Sequence, residues 1–332
     1  MVRVLPEPEH CASAPEDARY GQIGVLELDQ SSVEVATLVT IGDIAGAWPA
    51  LDAYAARAVE LRSLYHHANA VYWRGMLLAR NGDHERAFLT LRGAAEEALV
   101  IEARPLLISA LLGSIEVSTA MGELGQAQMA ASIARGLIEP GEGQWLADLA
   151  RLEGSALMLG DDASRKAGIE QLRASVRMEE EALVRHGGSH ERLSFALEAL
   201  ALGLLVEGEN YDAIRALDRS IELHEREFGP LNARAPRIRL NRIRALIANA
   251  QFERGFEEWL DVRATLRRRH AASSDTIVGA TLQVATWFSQ TNERDYVARV
   301  LGPLRRTREI NDVDLDSPAG EHQPRSPEEA NH

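Results

Sequence analysis

Ten arginines stand between residues 234 and 269 against four acids, a local surplus of +6 in a chain of 332 residues whose formal charge is −14. Within that stretch Arg237, Asn241 and Arg244 follow one another at about one helical turn. Two guanidiniums flanking an amide suit a carboxylate or a phosphate, because arginine presents its N–H groups as a planar fork that meets such anions bidentately. A second set with chemical potential is Asn69, Tyr72, Trp73, Met76 and Arg80. Aromatic rings beside long polar side chains are favourable anchors for the side chains of a peptide. Both sets point to recognition, with no bond broken. Two alternatives stay open: Trp73 packs inside the fold, and the arginine set pairs with this chain's own acids, in its acidic C-terminal segment or a neighbouring helix.

Signs of catalysis or metal binding are absent from the sequence. It holds no Gly-rich phosphate loop, no His-Glu-x-x-His and no Gly-x-Ser-x-Gly. Asp295 follows Glu293-Arg294 without the asparagine that would complete a kinase-type catalytic loop. His186-Gly-Gly-Ser-His190 has the four-residue spacing of zinc-binding histidines, but Gly187-Gly188 breaks the helix that would aim both rings at one ion. A helix end is the reading that fits. His66-His67 has no acid or thiol at ligand spacing, and Cys11 is the single cysteine, so no internal disulfide and no cysteine zinc site can form. No enzyme, metal or cofactor is expected. The acidic remainder of the chain, −20 outside the arginine stretch, disfavours nonspecific attraction to nucleic acid or an anionic membrane.

The elements that must position these residues declare themselves by repetition. Ala47, Ala87, Ala127, Gly168, Ala213, Gly255 and Val297 recur at intervals of 40, 40, 41, 45, 42 and 42 residues. Four positions after each stands Leu51, Leu91, Ala131, Leu172, Leu217, Trp259 or Leu301, all large except Ala131. A fixed period of this size means stacked copies of one small unit. Ala, Leu, Arg and Glu dominate, which is helix-forming chemistry. Gly42-Asp43, Gly82-Asp83, Gly122-Glu123 and Gly208-Glu209 fall at the same offset before their small residues. The glycine supplies a positive φ that ends one helix, and the acid after it can cap the next.

These residues resemble the tetratricopeptide repeat family, in which a small residue late in a first helix, a Gly-Asp turn and an alanine in a second helix recur. The likeness covers about residues 26–308. It is good around Ala47, Ala87 and Ala213, fair around Ala127, and degenerate around Gly168, Gly255 and Val297. The period exceeds the usual ~34 residues. Longer units occur in the kinesin-light-chain-like subclass, which the helix end Ile221-Glu-Leu-His-Glu-Arg-Glu-Phe-Gly-Pro230 resembles. The leader with Leu5-Pro6 and Cys11 also looks like the start of the repeat tails in multidomain bacterial Ser/Thr protein kinases.

The resemblance implies an all-α, right-handed α-solenoid of about seven helix-turn-helix repeats, with a leader at 1–25, an array at 26–308 and a disordered acidic tail at 309–332. It further implies that the first helix of each repeat lines a concave groove. In that register Arg237, Asn241 and Arg244, with Asn69, Tyr72, Trp73 and Arg80, face a bound protein or peptide, one with an acidic or phosphorylated segment. The expected function is a non-catalytic interaction scaffold. The alternative is the regulatory arm of a bacterial Ser/Thr kinase or transcription-regulator system. With no signal-peptide pattern and no long apolar run, a soluble cytoplasmic protein is expected.

Overall fold

The computed structural model describes residues 16–229, 234–269 and 275–306, all of them helix or short turn. The tail expected at 309–332 and the first fifteen residues of the leader lie outside the described residues. Helices α1 (Glu16–Ile41) and α2 (Ile44–Glu60) form the first hairpin, followed by α3 (Leu64–Arg80) with α4 (His84–Val100) and α5 (Arg104–Ala120) with α6 (Leu124–Leu137). Then come α7 (Gly143–Leu157) with α8 (Asp162–His186), and α9 (His190–Val206) with α10 (Asn210–Phe228). The last hairpins are α11 (Ala235–Ala248) with α12 (Phe252–Arg269), and α13 (Asp275–Gln290) with α14 (Arg294–Arg306). Helix α1 begins inside the stretch read as a leader. Pro15 is the last proline before Pro49, so no missing backbone donor interrupts that run.

The periodic residues do in space what their spacing demands. All seven small residues lie on the second helix of a hairpin and are buried, and so are their partners, from Leu51 to Leu301. Glycines on the first helices complete the close crossings. A methyl on Gly75 would stand 2.7 Å from Leu91 Cγ, and one on Gly203 2.8 Å from Leu172 Cδ1. Ala131, the one small partner, is buried in the cluster that holds Ala127, Ala130, Ala134, Ile115 and Leu149.

Turn chemistry follows the same rule. Gly42, Gly82, Gly122 and Gly208 take φ between 78° and 83°. Asp43 and Asp83 accept hydrogen bonds from Gly46 N at 3.0 Å and Arg86 N at 3.4 Å, which caps α2 and α4. Where the sequence has Asn249-Ala250-Gln251 in place of a glycine, the backbone still makes the turn, with Ala250 at φ 56°. An alanine Cβ is crowded there by the following carbonyl oxygen, at a cost of roughly 1 kcal/mol. Ala250→Gly is therefore expected to raise stability by about 0.5–1 kcal/mol after the entropy of a more flexible unfolded chain is subtracted. Urea melting reads this, and a lower midpoint would contradict it.

The chain divides into two compact units, Met1–Glu258 and Trp259–His332. In the first, each helix from α1 to α11 packs on its neighbour in sequence. The first helices of successive hairpins (α1, α3, α5, α7, α9, α11) also touch one another, and the second helices form no matching row among the described residues. First helices thus make a tight inner layer and second helices a splayed outer one. That inequality curves a solenoid toward its first helices. The cores run through from hairpin to hairpin: Leu28, Val35, Ala47, Leu51, Tyr54, Ala70 and Leu77 of α1, α2 and α3 form one continuous cluster. In the second unit α13 packs on α14, with Phe288 and Tyr296 stacked at 5.0 Å. Among the described residues no helix is long and apolar enough to cross a membrane.

Candidate functional site

The inner layer of the first unit surrounds a cleft of about 370 Å³. Five first helices supply its walls: Arg80 from α3, Glu116 from α5, Arg151 from α7, Phe195 and Glu198 from α9, and Arg234 with Arg237 on or just ahead of α11. Arg80 and Arg237, far apart in sequence, thus line one space. Apolar surface on the same wall comes from Met158, Leu202 and Val206.

The centre of the cleft is a buried carboxylate. Glu198 is only 4% exposed at its side chain and accepts from three donors. Arg234 Nη2 donates to Oε2 at 2.8 Å, and Arg237 Nη2 and Asn241 Nδ2 donate to Oε1 at 3.2 Å and 2.9 Å. Burial by itself would push the Glu198 carboxyl up; the charges of Arg237 and Arg234 and their hydrogen bonds outweigh it and hold the group below the ordinary carboxylate value. Arg234 Cζ lies over the Phe195 ring, 3.3 Å from its centroid, and burial pulls its guanidinium down to about 10. Arg237 differs from Arg234 in exposure: its side chain is 56% exposed.

The residues singled out from sequence divide accordingly. Arg237 and Asn241 are brought together, and the anion between them is Glu198 of the preceding hairpin. Arg244 is exposed, without an ion-pair partner among the described residues, and is not part of the cleft. Arg80 stands at the opposite wall, 3.8 Å from Glu116. Tyr72 and Met76 line a smaller neighbouring hollow of about 150 Å³ together with Leu112, Glu116, Trp145 and Arg151. Burial pushes the Tyr72 hydroxyl well above its ordinary pKa, so it stays protonated. Asn69 faces back into the array, where its Nδ2 donates to Ser32 Oγ at 2.8 Å and Tyr54 OH at 3.0 Å. Trp73 packs with Tyr72 at 4.9 Å and, like Trp48, lies against the buried clusters of the first two hairpins. Its position is that of a packing residue.

The arginine surplus is likewise spent in part on the preceding hairpin. Arg239 pairs with Glu225 at 2.6 Å, and Arg242 with Asp218 at 2.5 Å and with the buried Glu258. Gly187, at φ 63°, ends α8, and Ser189 caps α9 through Glu191 N at 3.1 Å, so the two-histidine segment is the helix boundary its glycines imply. Sequence reasoning missed Glu198 and Phe195. A signal was present, since Glu198 is the sole charged residue between Leu193 and Val206.

No protein-family model and no curated protein matches the sequence. Among solved structures the chain is similar to BtubC (BKLC) from P. vanneervenii, with a TM-score of 0.54 and 12% identity over 73% of this chain and 99% of that one. Looser likenesses are the apo form of RapI, at a TM-score of 0.46, 10% identity, 86% of this chain and 99% of that one, and the TPR2AB-domain:pHSP90 complex of yeast Sti1, at 0.30, 14%, 78% and 98%. At such identities a likeness bears on fold alone. Buried small–large pairs at a constant period, Gly-Asp turns and an inner row of first helices say the same as the first of these comparisons: the chain is a tetratricopeptide-like α-helical repeat protein.

Proposed function

We propose that the protein is a non-catalytic interaction scaffold whose inner layer of first helices receives a segment of a partner protein, with an acidic or phosphorylated group of that segment seated at the cleft. The observation that carries this reading is the cleft itself, where guanidiniums from α3, α7 and the start of α11 face one space beside an aromatic ring. Concave faces of helical arrays are suited to such segments because the array presents many side chains along one continuous surface. Affinity at such a surface comes from a few anchors and from electrostatic complementarity. Tyr72 and Trp145 in the adjoining hollow extend the anchor surface beyond the cleft.

An array of short peptides varying in acidic and apolar content, probed with the purified chain, tests the proposal. Arg80→Glu combined with Arg237→Gln should weaken capture of the acidic peptides by about a hundredfold, given the energy usually lost when charge complementarity at an interface centre is broken. Undiminished capture by a folded double variant would move the site off this face.

A further inference from the structure

We infer that the cleft reads a single negative charge next to an apolar group, and that Glu198 is the residue that sets this limit. The inference rests on the scaffold reading above and deepens it, since it decides between a carboxylate and a phosphate as the recognised group. The cleft is lined by four arginines, Arg80, Arg151, Arg234 and Arg237, and two carboxylates, Glu116 and Glu198, and acids outside its lining take up part of the difference. Arg80 has Glu116 at 3.8 Å. Arg151 and Arg192 share Asp148 at 3.4 Å and 3.0 Å, and Arg192 has Glu179 besides at 2.8 Å. At Glu198 two guanidiniums, Arg234 and Arg237, meet a single carboxylate.

The surplus there is one positive charge, and it sits on the more exposed of the two arginines. Arg237 gives Nε and Nη2 to Glu198, which leaves its Nη1 edge for an incoming acceptor. A carboxylate fits that balance. A phosphate monoester, close to doubly charged near neutral pH, would bring one negative charge more than the cleft can match, beside a buried carboxylate. Phe195, Met158 and Leu202 then supply apolar contact within the same space of about 370 Å³. That volume falls in the range of sites that hold compact ligands. The recognised chemistry is a carboxylate on or beside an apolar body, carried by a glutamate–leucine type pair in a peptide or by a small aromatic or aliphatic acid.

Calorimetric titration with 2-naphthoate, 2-naphthylmethanol and 2,6-naphthalenedicarboxylate separates these terms, and an acetylated hexapeptide with one Glu-Leu pair, with its phosphoserine counterpart, tests the peptide source. The monoanion is expected to bind about tenfold tighter than its neutral isostere, the usual yield of a charge-assisted hydrogen bond. The dianion should gain nothing further. Arg237→Gln should erase the tenfold preference, and Glu198→Gln should shift preference toward the dianion and the phosphoserine peptide. Equal binding of the neutral and anionic probes, or a wild-type preference for the dianion, would overturn the inference. So would an unchanged preference in folded Glu198→Gln. If these probes fail and the peptide array still shows capture that depends on Arg80 and Arg237, the ligand class is wrong and the scaffold reading stands. Failure of both removes the site. Preference for naphthoate with no hexapeptide binding points to a small acid as the source, and binding of both points to a peptide.

Discussion

Glu198→Ala will destabilise the first unit by about 3 kcal/mol, since truncating one partner of a buried ion pair strands the charge left behind. The carboxylate is 4% exposed and holds Arg234, Arg237 and Asn241. Arg234, 22% exposed and pinned over Phe195, cannot follow the lost charge into water, whereas Arg237 can. That contrast keeps the expected cost at the lower end of what buried pairs show. Glu198→Gln, which retains an acceptor, should cost less than Glu198→Ala. Urea melting of the two variants orders them, and an alanine variant as stable as the parent would show that the arginines do not depend on this group.

The pH dependence has a definite sign. Because its arginine partners hold the folded Glu198 carboxyl below its ordinary value, its contribution is fully present above the unfolded value of roughly 4.3 and drains away as pH falls through the lower folded value. The stability gap between parent and Glu198→Gln should therefore be constant near neutral pH and narrow only in acid well below pH ~4. Glu258 works in the opposite direction. Burial there outweighs Arg242 and raises its carboxyl, so its proton-linked contribution favours the folded state at low pH and is lost as pH rises through the raised value.

Gly154→Ala should cost about 2 kcal/mol even though alanine is the better helix former by about 1 kcal/mol. A methyl at that position would stand 2.8 Å from Gly168 O and 3.0 Å from Leu172 N. Both are backbone atoms, so relief requires α7 and α8 to move apart. The approach is reciprocal, since a methyl on Gly168 would lie 2.8 Å from Gly154 O. Gly93 on α4 provides the control, with nothing within 4 Å of an added methyl. Gly93→Ala is expected to stabilise by about 0.5–1 kcal/mol through helix propensity alone. Thermal melting of both variants decides the matter, and equal shifts for the two would mean that the α7–α8 crossing is not limited by contact.

The repeat that reads as degenerate in sequence keeps its crossing with glycine on both helices, Gly154 and Gly168, where the repeats around Ala87 and Ala213 set Gly75 and Gly203 against an alanine. A similar substitution of means holds at Ala250, where an unfavourable residue adopts the turn that the flanking helices impose. Local preference is a weak force beside tertiary packing, so family patterns erode at single positions while the geometry persists.

By itself the sequence determined the class of fold, an array of about seven hairpins and the buried small–large pairs of their second helices, because helical burial depends on a period that short-range spacing records. It also placed Arg80, Tyr72, Arg237 and Asn241 on first helices, the layer that lines the cleft and its neighbouring hollow. What faces them was a different question, and only the tertiary structure answered it. The carboxylate between Arg237 and Asn241 belongs to a residue 39 and 43 positions away, and Asn69 spends its amide on a serine 37 positions back. Periodicity fixes the side of a helix on which a residue stands. The partner it meets depends on how closely the next hairpin packs, a distance set by the glycine contacts and the curvature of the inner layer.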